Sequence, residues 1–162
     1  MLVAAAPAPD HSAEVGRAIF ELCPKVLDGL LRLDDAAALA AIGYKPTPPR
    51  QTPGGAIPRA TRGTGAETIV ISGHRQPDGG SCSTWFGGAD NKRLFKAMRK
   101  RGSQSGFQGS GKPLQLGDGT DIYSYRAAAK ANRSLVFIAG AAGDGIGPFP
   151  TTTAIVMDTK GE

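Results

Sequence analysis

The sequence predicts an α+β fold: an antiparallel sheet of about five strands with helices packed on one face. Three observations predict it. Two helical stripes open the chain, two β-rich runs separated by turn residues follow, and three more β-rich runs close it after a further helix. A hairpin, a crossing helix and a three-strand meander suit an antiparallel sheet better than a parallel one.

Residues 1–11 read as a flexible tail. Met1 to Ala8 is Met-Leu-Val-Ala-Ala-Ala-Pro-Ala, with small residues at Ala6 and Ala8. That pattern fits the end of a signal peptide, with an A-x-A cleavage site, and points to export. Ser12 reads as an N-cap, with Glu14 in the first turn where a carboxylate suits the helix dipole. Val15, Ala18, Ile19, Leu22, Cys23, Val26, Leu27 and Leu30 keep helical spacing. Pro24 interrupts that stripe, so the helix kinks near Phe20 or restarts with Pro24 in its first turn. A second short helix begins at Asp34 or Asp35 and reaches Ile42. Gly43 supplies its C-terminal turn, and Leu33, Ala37, Leu39 and Ala40 supply a narrow apolar face.

Residues 45–66 hold five prolines and several glycines and read as an irregular, solvated arm. A β-rich run from Glu67 to Gly73 follows. The segment His74 to Gly80 supplies turn residues, and a second run from Ser81 to Gly87 completes a hairpin. Asp90 or Asn91 caps the next helix, whose apolar side is Leu94, Phe95, Ala97 and Met98. Its other side is basic: Lys92, Arg93, Lys96, Arg99, Lys100 and Arg101. Gly102 reads as its stop, and residues 102–120 as a Gly/Ser-rich loop. Strands are expected over Asp121 to Arg126, Ser134 to Ala139 and Thr151 to Thr159. The order α-α-β-β-α-β-β-β resembles that of profilin-like and roadblock-like domains, an outline that carries no function.

The 162 residues suit one domain, 12–162, able to build its own core. The net charge of +5 is mild, and no basic stretch is interleaved with stacking rings, which disfavours nucleic acid as a partner. No apolar run approaches the roughly 20 residues of a membrane span. Cys23 and Cys82 are the only cysteines. An even count suggests one disulfide, hence an oxidising compartment. The alternatives are two buried thiols, or a nucleophilic Cys82 served by His74. Two cysteines and the scattered His11 and His74 lack zinc-finger spacing, so no metal or cofactor is expected.

Phe20-Glu-Leu-Cys-Pro24, Leu39-Ala-Ala-Ile-Gly-Tyr44 and Gly80-Ser-Cys82 together resemble a pattern in small exported proteins of Gram-negative bacteria. The resemblance implies export and a paired cysteine, and no activity.

Two further clusters have chemistry. His74, Arg75, Asp78 and Ser81 gather an imidazole, a guanidinium, a carboxylate and a hydroxyl. With Ser81 or Ser83 as nucleophile they suggest a small hydrolase, though no G-x-S-x-G elbow or H-E-x-x-H is present. Otherwise they form a polar turn. Lys92, Arg93, Lys96, Arg99 and Lys100 make an anion patch or simply a solvated helix face. The leading expectation is a periplasmic or secreted, non-catalytic binding module. Its partner is a protein or envelope component, met through the sheet edge, the Pro-rich arm or the basic helix. A small hydrolase and a weak polyanion binder are the alternatives.

Overall fold

The computed structural model describes residues 11–77, 79–86, 91–109, 114–115, 121–127, 133–139 and 152–158. The chain enters through α1 (Ser12–Arg17), a π-helical turn (Ala18–Leu22) and α2 (Cys23–Leu27). Val15, Ala18, Ile19, Leu22, Cys23, Val26 and Leu27 are all buried, as the stripe requires. The π turn lies where a proline must perturb the helix. Pro24 has no N–H and its ring crowds the carbonyl of Phe20, so an extra residue is looped into that turn. The helix then ends at Leu27, which leaves Leu30 78% exposed instead of on the stripe.

The cap differs from expectation. His11, not Ser12, is the N-cap, and it is buried. α3 (Ala36–Ala41) follows its signals more closely. Asp35 accepts a hydrogen bond from the Ala38 N–H at 3.0 Å, and Gly43 takes φ 79° beyond the C-terminus. Leu33 and Leu39 are buried, while Ala37 and Ala40 face solvent.

The α+β class and the antiparallel sheet are as expected, but among the described residues the sheet has nine strands. β1 (Lys45–Thr52) and β2 (Gly55–Arg62) come from the stretch that reads as an irregular arm. Their order along the sheet explains how prolines fit. β1 is an edge strand, where a missing N–H faces no neighbour. The register shifts between Thr47 and Arg50, so Pro48 and Pro49 stand in a bulge. Pro58 lies outside the paired residues of both β1–β2 and β2–β3. β3 (Ile69–Gln76) and β4 (Gly79–Phe86) form the expected hairpin, with its turn narrowed to 77–78. His74, Arg75 and Gly80 are therefore strand residues and not part of the turn.

α4 (Asn91–Gln104) runs through Gly102, which does not stop it. Gly102 is buried, and a side chain there would meet Phe20 and Leu135; the stop is Gly106 at φ 84°. Two short strands, β5 (Phe107–Gly109) and β6 (Leu114–Gln115), both pair with β7 (Asp121–Ala127). β8 (Arg133–Ala139) and β9 (Thr152–Asp158) complete the meander, and β9 lies against β4. The path is β1-β2-β3-β4-β9-β8-β7-β5. Two strands thus precede the β-β-α-β-β-β order read from the sequence, and two short ones, β5 and β6, stand after its helix inside the stretch 102–120 that reads as a loop.

The helices pack on one face of this sheet, over β3, β4, β8 and β9. Ile69, Ile71, Cys82, Phe86, Leu135 and Val156 meet the first helical segment and α4 in a single core. Cys23 and Cys82 are joined as a disulfide, with Cα atoms 5.4 Å apart and both residues fully buried. The bond ties the start of α2 to the centre of β4, and Gly73 leaves the room it needs. A Cβ on Gly73 would stand 2.8 Å from the Cys82 Cα.

Candidate functional site

Strand alternation decides which predicted residues can meet. On β3 and β4, Ile71, Gly73 and Arg75 share the helix side with Gly80, Cys82 and Thr84. Val70, Ser72 and His74 share the far side with Ser81, Ser83 and Trp85. The His74–Arg75–Asp78–Ser81 cluster is therefore split. Arg75 reaches the end of α2 and donates to the Asp28 carbonyl at 3.1 Å. His74 stands opposite Ser81 on the other face, and no hydrogen bond between them is present among the described residues. Asp78 lies outside the described residues. Cys82 is bonded, so it offers no thiolate.

The basic helix is only partly as expected. Arg93, Lys96, Arg99 and Lys100 are exposed, and Lys92 lies in the first turn of α4. Arg101 turns inward instead. It pairs with Glu21, lies 5.8 Å from the Phe20 ring centroid, and occupies the space above Gly16.

The far face of β1–β4 carries a constellation that the sequence reading missed. Register aligns Thr47, Arg59, Ser72 and Ser83 in one row, and Lys45, Thr61, Val70 and Trp85 in the next. Trp85 is half-buried. Its indole N–H donates to Ser83 Oγ at 3.0 Å, and the Ser83 hydroxyl donates to the Ser72 carbonyl at 3.3 Å. The Arg50 guanidinium lies 5.5 Å from the centre of the Trp85 ring. Val70 and Ser72 form a buried floor.

Two features set this face apart. The first is polar groups without partners: of three such buried side-chain atoms among the described residues, Thr47 Oγ1 and His74 Nδ1 stand here and His11 Nε2 at the start of α1. Native proteins leave few such groups, and each one costs about 1–3 kcal/mol. The second is charge. Lys45, Arg50 and Arg59 make no ion pair among the described residues, and no described carboxylate stands in these rows. On the helix side the opposite holds. Glu14 pairs with Arg17 and Arg62, and Asp28 and Asp158 both pair with Arg133. Tyr44 donates to Glu14 Oε1 at 3.0 Å, and burial together with that carboxylate raises its phenol well above the usual range.

The far face therefore offers cations, hydroxyls, an imidazole and one indole ring on a rigid sheet. Among the described residues no group of three or more His, Cys, Asp and Glu is placed to hold a metal ion. The useful signal was in the sequence as Lys45, Thr47, Arg59 and Thr61 at alternate positions, hidden by the intervening prolines. No family model matches the chain, and no curated protein and no solved structure matches it.

Proposed function

We propose that the protein is an exported, non-catalytic binding module whose contact surface is the β1–β4 face opposite the helices. One observation carries the reading: Arg50 lies over a half-buried tryptophan on a face that also carries Lys45 and Arg59, and none of the three makes an ion pair among the described residues. Such groups are satisfied by a ligand better than by the fold that presents them. The Cys23–Cys82 bond supports export, because bonds of this kind persist in oxidising compartments. The periplasm or the extracellular space suits it equally. The Ala/Pro-rich start and the resemblance to small exported proteins agree.

His74 shares the far face with Ser81 and Ser83 but makes no hydrogen bond to either among the described residues, and Ser83 is engaged by Ser72 and Trp85; the absence of a nucleophile–base contact weighs against a hydrolase. Sheet edges are poor docking sites here, since β1 carries prolines and a bulge and the other edge is made by two very short strands, β5 and β6.

The test has two arms. Immobilised protein should retain material from an envelope extract, and the Arg50→Ala/Arg59→Ala variant should lose that retention. A panel of chromogenic esters should show no turnover. Hydrolysis abolished by both His74→Ala and Ser81→Ala would overturn the reading in favour of an enzyme.

A further inference from the structure

We infer that the β1–β4 face binds an acidic oligosaccharide, with one sugar ring packed on Trp85 and carboxylates held by Arg59 and Arg50; this rests on the binding-module reading above. Charge complementarity comes first. Lys45, Arg50 and Arg59 concentrate positive charge on a face with no described carboxylate, so the ligand is an anion. Guanidinium groups match carboxylates in geometry as well as in charge.

The ring selects among anions. The Trp85 N–H is already committed to Ser83, so the indole presents an apolar π-face and no donor. That suits the C–H face of a sugar. Around it stand the hydroxyls of Thr47, Ser72, Ser81 and Ser83 and the imidazole of His74, groups that exchange hydrogen bonds with a polyhydroxylated ligand. A single-stranded nucleic acid fits less well, because such strands are held by successive stacked bases and these rows contain one aromatic ring. Arg50 lies over that ring from the exposed edge strand β1.

Trp85 is the only tryptophan in the chain, so its emission reports this face alone. The probes are a pentamer of galacturonic acid, a neutral glucose pentamer and a pentameric single-stranded DNA. The acidic pentamer should shift the emission saturably and bind about tenfold more weakly to Arg59→Ala, with Arg59→Lys recovering part of the loss. Its affinity should fall severalfold as salt is raised. Equal binding of the neutral pentamer, tighter binding of the DNA, or an Arg59→Ala variant of unchanged affinity would each overturn the assignment. If the acidic pentamer gives no response while envelope retention still depends on Arg50 and Arg59, the ligand class alone is wrong. If both signals are absent, the binding face itself is wrong.

Discussion

Removing the disulfide should cost this protein about 4 kcal/mol, and the size of the loop sets that figure. Cys23 and Cys82 are 59 residues apart in sequence, and cross-linking a loop of that length removes about 4 kcal/mol of chain entropy from the unfolded state at room temperature. The Cys23→Ala/Cys82→Ala variant also loses two sulfur atoms from fully buried positions. The resulting cavity adds about 1 kcal/mol. A loss of about 4–5 kcal/mol is a large share of the roughly 5–15 kcal/mol that holds a domain folded. Urea titration of the oxidised wild type and the variant, followed by far-UV circular dichroism, measures it. The entropic origin has a second signature. Without the cross-link the unfolded chain is more expanded, so the dependence of stability on urea should steepen. A loss below about 2 kcal/mol with an unchanged slope would refute the claim that the bond acts by restraining the 59-residue loop.

Three further outcomes are expected. Gly73→Ala should destabilise by about 2 kcal/mol in the same titration, because its Cβ would meet the backbone of Ser81 and Cys82, which the disulfide holds in place; a neutral effect would mean that β3 and β4 can part there. Arg133→Met should cost about 2 kcal/mol, since it strands Asp158 and frees Asp28 from the sheet. A double-mutant cycle with Asp158→Asn should show coupling above about 0.5 kcal/mol, and additivity would show that the pair is idle. For Tyr44, the folded protein holds the phenol proton more tightly than the unfolded chain does. Its contribution is therefore complete below the ordinary phenol pKa of 10.0 and falls away as pH rises beyond it. Wild type should lose stability relative to Tyr44→Phe above that pH, and parallel pH curves would show that burial and Glu14 do not act on it.

What the sequence revealed and what it hid divide along physical lines. The first helix, the break at Pro24, the cysteine pair and strands β3, β4, β7, β8 and β9 rest on local periodicity or residue chemistry, which a single segment displays. The β1–β2 hairpin does not. Prolines lower strand propensity everywhere except at an edge or a bulge, and only the finished sheet shows that β1 is an edge. Gly102 misled for a related reason. A glycine inside a helix reads as a terminator, but Gly102 is buried beside Phe20 and Leu135, and that packing is invisible in the local sequence. The proposed contact face was lost with the hairpin. Trp85 was visible on an alternating strand, but Arg50 comes over it, and Arg59 onto the same face, only through β1 and β2.

The same divide appears in the charges. The formal net charge of +5 gives no hint of where the excess lies. On the helix side, carboxylate and guanidinium are matched: Arg133 fastens the end of α2 to β9, and Arg17 and Arg62 converge on Glu14. Those arginines are part of what holds the helices on the sheet. Lys45, Arg50 and Arg59 have no such duty, since no described carboxylate answers them and their mutual repulsion slightly opposes folding. These unpaired cations, of which Arg50 lies over the one tryptophan, are what the proposed binding reading rests on. Stability and binding should therefore be separable residue by residue, with Arg133 governing the first and Arg59 the second.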